Sequence, residues 1–118
     1  KEFKPEIIIR NGGSDPHFGD ILTNLGLTLE GFKIIGENVR KLSEVCQGKE
    51  VDLIASGYNQ KILPPAWLSL ISGLLDLKIK LKEPTKEIPA KDSKLKETKE
   101  IIKELKDVLK KYWRCFAQ

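Results

Sequence analysis

Two stretches decide the fold: Ile7-Ile8-Ile9-Arg10-Asn11-Gly12-Gly13-Ser14-Asp15 and Val51-Asp52-Leu53-Ile54-Ala55-Ser56-Gly57-Tyr58. Each passes from a short apolar run through glycine to one reactive side chain, a carboxylate in the first and a phenol in the second. Strands apolar on both faces are typical of parallel sheets covered by helices. Between the two, Thr28 is placed to cap a helix whose apolar residues Phe32, Ile35, Val39, Leu42 and Val45 recur in steps of three and four. Gly48 stands where a glycine commonly closes a helix. The spacing therefore predicts a βαβ unit, with strands over residues 3–10 and 51–55 and a right-handed crossover. Ligands of open parallel sheets collect beyond the carboxyl ends of the strands, so Asp15 and Tyr58 mark the expected site.

Further along, Pro64-Pro65 suits the first turn of a second helix running to about Leu75. Trp67, Leu68, Leu70, Ile71, Leu74 and Leu75 make it apolar nearly all round, which predicts burial. Leu77 to Leu81 alternates apolar residues with lysine and is expected as a short edge strand. Residues 84–92, with Pro84 and Pro89, form a linker. Residues 93–118 then carry a charged helix with an apolar stripe through Leu95, Ile101, Ile102, Leu105 and Val108, expected to pack on the same domain. Asp92 with Lys96 and Asp107 with Lys111 are spaced for helical ion pairs.

Composition sets the outer bounds. A chain of 118 residues, 40% hydrophobic and 32% charged, is the size and balance of one globular domain. The net charge of +4 is spread over alternating lysines and acids, without a basic stripe or interleaved aromatics, which sets nucleic acid aside. No apolar run approaches the roughly 20 residues that cross a bilayer, so no membrane role is expected. Cys46 and Cys115 form no metal-type pair, and Cys46 reads as a small core residue. An intracellular, reducing, cytoplasmic setting is expected. Two apolar strands are too few for the sheet they imply, and the sequence contains no methionine. Either a missing N-terminal portion or self-association is expected to complete the sheet.

Taken alone, an aspartate after a glycine turn more often caps a helix or braces a loop than binds a metal. A strand-end tyrosine is likewise more often half-buried with one hydrogen bond than catalytic. The wider pattern changes that balance. Gly13-Ser14-Asp15 with Gly19-Asp20, then Leu25-Gly26-Leu27-Thr28-Leu29-Glu30-Gly31, then Ser56-Gly57-Tyr58 and Ala66-Trp67, resembles the last third of the zinc-dependent histone deacetylase and acetoin-utilisation deacetylase family. The resemblance implies an α/β fold, the C-terminal part of a three-layer sandwich with a mostly parallel sheet, over residues 1–83. It implies hydrolysis of an acetyl-amide in an acetyl-lysine protein or an acetylated small molecule such as a polyamine, with zinc as cofactor in the longer parent.

By the same resemblance, Asp15 matches a metal ligand and Tyr58 the catalytic donor to the acetyl oxygen. Gly57 and Leu22 match substrate-contacting positions, and Gly13, Asp20 and His17 a supporting loop. His17, the single histidine, is expected to make a loop hydrogen bond or stand near the pocket rim, since the family's metal histidine lies elsewhere. Asp20 is expected to brace its loop by accepting backbone N–H groups. Ala55-Ser56-Gly57-Tyr58 departs from the longer glycine run of many members. The tandem histidines that act as base and the remaining zinc ligands have no counterpart here, so the chain alone is expected to be inactive. The alternative reading is a non-catalytic α/β module that binds a small molecule or protein partner at the same strand ends. An arginase-type metallohydrolase would need more aspartates and histidines.

Overall fold

The structure is a computed structural model that describes residues 3–23, 25–85 and 94–116. It is an α/β arrangement whose described elements fall into two units. In residues 4–89, β1 (Ile8–Gly12) and β2 (Glu50–Ile54) form a two-stranded parallel sheet. Their register pairs Ile8 with Glu50, Arg10 with Asp52 and Gly12 with Ile54. The first strand starts later than residue 3. Pro5 has no N–H to give to a ladder, Lys4 has φ +49°, and pairing opens where the Ile8 N–H meets the Lys49 carbonyl at 3.0 Å.

Helix α1 (Leu29–Ser43) begins at the expected cap, where the Thr28 hydroxyl accepts the Gly31 N–H at 3.2 Å. It stops at Ser43, short of the predicted apolar stripe. A 3₁₀ turn over Glu44–Cys46 follows, and Gln47 and Gly48 then adopt left-handed backbone. Leu42, in the last turn of the helix, and Val45, beyond it, are exposed, while Cys46 is buried.

Helix α2 (Leu63–Leu74) carries Pro64 and Pro65 in its first turn. It is buried on one side only, which corrects the expectation of burial all round. Its inner face is the small-residue stripe Ala66, Ser69 and Gly73 together with Leu70, whereas Leu68 and Leu75 remain exposed. The reason is close approach to α1. A methyl added at Gly36 would be driven into the Leu70 carbonyl and lie 2.8 Å from the Leu74 nitrogen. One added at Gly73 would meet the Lys33 carbonyl and lie 2.8 Å from the Glu37 nitrogen. Leu29, Phe32, Ile62, Ala66 and Leu70 form the core at this crossing, and Ile54 of β2 packs against it. No strand forms over residues 77–81. Asp76, at φ +55°, turns the chain so that Leu81 packs on the core instead of along a ladder.

The other unit holds α3 (Leu95–Leu109), a charged helix with Lys94–Glu97 and Asp107–Lys110 pairs at 2.7 and 2.8 Å. Asp107 thus takes the lysine three residues on, not Lys111. Trp113 meets the ring of Phe3 edge-on at 6.5 Å between centroids. Residues 86–93, which include most of the expected linker and Asp92 of the other expected pair, lie outside the described residues. No helix among the described residues is long and apolar enough to cross a membrane.

Replacing glycine by alanine inside a helix ordinarily gains about 1 kcal/mol. At Gly36 or Gly73 the steric conflict with backbone should reverse the sign, because overpacking costs about 1–3 kcal/mol. Denaturant unfolding of Gly36→Ala and Gly73→Ala should show clear losses; unchanged or raised stability would contradict the close helix crossing.

Candidate active site

Beyond the last paired residues the two chains keep running side by side. The Ala55 N–H donates to the Gly12 carbonyl at 2.8 Å, and the Ser14 N–H to the Ser56 carbonyl at 2.7 Å. This extension carries the loop with Asp15 alongside the segment with Tyr58. Two glycines make room for it. A side chain at Gly13 would overlap the Ser56 hydroxyl and carbonyl, and one at Gly57 would overlap the Ser14 hydroxyl. Gly57 also has φ +147°, which disfavours any other residue.

The Asp15 carboxylate accepts the Ser56 hydroxyl through Oδ1, and its carbonyl accepts the Thr23 hydroxyl. Asp20 holds several donors. Its Oδ1 accepts the N–H groups of Leu22 at 2.9 Å and Thr23 at 3.2 Å, and its Oδ2 accepts the Tyr58 N–H at 2.9 Å. Partial burial would push this carboxyl up. The backbone N–H groups of Leu22, Tyr58, Thr23 and Asn59 outweigh that effect and hold it below the usual carboxylate value. Asn59 adds a parallel tie, its amide donating to the Gly19 carbonyl at 2.7 Å. Tyr58 leaves half of its surface (49%) to solvent, and Leu22 leaves 69%.

His17 is fully enclosed. Its Nδ1 accepts the Gly19 N–H at 2.9 Å, which places the ring proton on Nε2, and Nε2 lies 2.9 Å from a Glu83 carboxylate oxygen. The other Glu83 oxygen accepts the Leu29 N–H at 2.7 Å, at the start of α1. Phe18 and Phe32 stack against the imidazole at 4.4 and 6.3 Å. One carboxylate thus fastens the site loop to the helix that carries the core.

Of the residues expected at the site, the structure brings Asp15, Gly13 and Gly57 to the paired strand ends and ties Asp20 to the Tyr58 backbone. It encloses His17 behind them. Four further residues belong to the arrangement: Ser56, Thr23, Asn59 and Glu83. Asn59 carries the side-chain chemistry of a turn former. Glu83 gives no local signal, because its partner His17 lies 66 residues away. A groove of about 460 Å³ elsewhere is lined by Leu29, Lys33, Ser69 and Leu81 among others, and neither Asp15 nor Tyr58 borders it. Among the described residues no three His, Cys, Asp or Glu side chains gather to hold a metal. Asp15 is one oxygen donor where a catalytic zinc takes three protein ligands, so the described residues do not make a metal site by themselves.

The described fold is an α/β one, with a carboxylate and a tyrosine beyond the adjacent carboxyl ends of two parallel strands. The histone deacetylase domain matches residues 1–74. A probable deacetylase of Archaeoglobus fulgidus is 32% identical over 98% of this chain, which spans 34% of that relative's length. Histone deacetylase 18 of Arabidopsis thaliana is 31% identical over 96% of the chain, covering 15% of the plant protein. The acetoin utilization protein AcuC of Staphylococcus aureus is 36% identical over 64% of the chain and 20% of its own length. The chain belongs to the histone deacetylase family, and it spans about a third or less of these relatives.

Two measurements check the site's framework. Glu83→Ala should destabilise the protein by about 1–3 kcal/mol, because it strips a helix start of its acceptor and leaves a buried imidazole N–H unpaired; unchanged unfolding would contradict the staple. Asp20 should titrate below the normal aspartate range by NMR. Its stabilisation should be complete above that range and fade as pH falls through the lowered value. A normal or raised value would contradict the bonds described.

Proposed function

We propose that this chain is the C-terminal part of a zinc-dependent deacetylase that hydrolyses acetyl-amide bonds in acetyl-lysine or acetylated small molecules such as polyamines. The observation that carries the reading is the run of ladder bonds past Gly12 and Ile54, which sets the Asp15 loop beside the Tyr58 segment. Family membership supplies the reaction class.

In this reading Asp15 is one ligand of a zinc ion whose other ligands lie outside this chain. Bound there, zinc would supply a Lewis acid for the acetyl carbonyl and would make a water more acidic. Ser56 donates its hydroxyl to one Asp15 oxygen, Oδ1, and so fixes the carboxylate beside the strand end. Tyr58 donates its phenolic hydrogen to the acetyl oxygen as negative charge develops there, the role of an oxyanion-hole donor. Gly57 would let the backbone pass close to the acyl group, and Leu22 would supply apolar lining to the acyl tunnel. The sheet's open face supports the remaining architecture. Ile7, Ile9, Val51 and Leu53 are 41–64% exposed on it, and a parallel sheet takes helices on both faces. The rest of a three-layer sandwich would pack there.

In the full-length protein, Tyr58→Phe should cut kcat by about 10²–10³, as loss of one oxyanion donor does, with zinc content intact. Asp15→Ala should lose the metal. Normal turnover by both variants would refute the assignment. The 118-residue chain by itself should show no deacetylase activity and weak or no zinc binding, for want of ligands and of a histidine base.

A further inference from the structure

We infer that Asp20 is a positioning residue for Tyr58, fixing where the phenol points by holding its backbone N–H. The inference rests on the proposed role of Tyr58 as oxyanion donor. Tyr58 is a poorly packed donor: half its surface is exposed, and it follows Gly57, whose φ of +147° is one few residues adopt. A chain leaving a glycine pivot needs another constraint if its next side chain is to hold one direction. That constraint is the Asp20 carboxylate, 2.9 Å from the Tyr58 nitrogen.

The same carboxylate is anchored at its other oxygen. Leu22 and Thr23 donate to Oδ1, and the Thr23 hydroxyl in turn donates to the Asp15 carbonyl. One side chain therefore links the backbone of the proposed donor to the loop of the proposed ligand. The Asn59 bond to the Gly19 carbonyl runs beside it and keeps the two segments in step. A carboxylate is required for this, because both of its oxygens accept. Asparagine has one accepting oxygen and would turn an amide N–H group toward either the Tyr58 N–H or the Leu22 and Thr23 pair. It can satisfy one side and must release the other.

The test is a double-mutant cycle in the full-length zinc enzyme with an acetyl-lysine peptide. Asp20→Asn should lower kcat on the order of tenfold to a hundredfold, since a displacement of about 1 Å costs that much. KM should stay within about twofold and zinc content should be unchanged. Asp20→Asn combined with Tyr58→Phe should be as slow as Tyr58→Phe alone, because a residue acting through the phenol has nothing left to position. Undiminished kcat in Asp20→Asn would overturn the inference. So would losses that multiply in the double variant, or a loss that tracks zinc content. If Tyr58→Phe alone turns over normally, the proposed role of Tyr58 fails first, and the result is distinct from the others. Should Asp20→Asn not fold, hydrogen exchange in the wild type decides. A protected Tyr58 amide is expected, and exchange at the rate of a free loop amide overturns the inference.

Discussion

The parallel ladder between β1 and β2 is the constraint on which the rest depends. Its register places Gly12 opposite Ile54, and the bonding continues for two residues past the strands through Ala55 and Ser14. Because the chains are still paired when they reach the glycines, the groups that follow arrive together. Arg10 and Asp52, partners in that register, are joined by two bonds of 2.7 and 2.8 Å on the half-covered face of the sheet. A slip of one residue would send these two charges to opposite faces and leave each without its partner. Nearby, the Glu50 carboxyl is pushed up by burial and by the like charge of Asp52, with Arg10 opposing.

The helix pair gives the ladder something to rest on. Small residues at the α1–α2 crossing let backbone approach backbone, and Ser69 donates its hydroxyl to the Leu29 carbonyl across it. Leu29 is also where Glu83 binds the start of α1, while the same carboxylate reaches His17 in the site loop. Packing and site are therefore one connected system: movement of the α1 N-terminus would be felt at the loop that carries Asp15 and Asp20.

Much of this was legible in the residues. Ile7-Ile8-Ile9 and Val51–Ala55 announced parallel strands, Thr28 announced the start of α1, and Pro64-Pro65 the start of α2, because those signals act over a few residues of chain. The family pattern was legible for the same reason, being carried by short motifs around Asp15 and Tyr58. What escaped was set by contacts distant in sequence. The inner face of α2 is chosen by the closeness of Gly36 to Gly73, so counting its leucines misplaced its burial. Leu77 to Leu81 alternates like a strand, yet the core contact of Leu81 takes it elsewhere. Thr23 and Glu83 carry no motif, and Ser56 stands in one that does not reveal its bond to Asp15; each acquires its partner only when the loops fold together.

The most direct test of the account is the position of the metal in crystals of the full-length protein, located by anomalous scattering at the zinc edge. A zinc ion within bonding distance of an Asp15 carboxylate oxygen, about 2.0–2.2 Å, with the Tyr58 side chain turned toward it, is the expected result. A zinc ion bound away from Asp15, or a Tyr58 side chain turned from the metal with substrate analogue present, would contradict it.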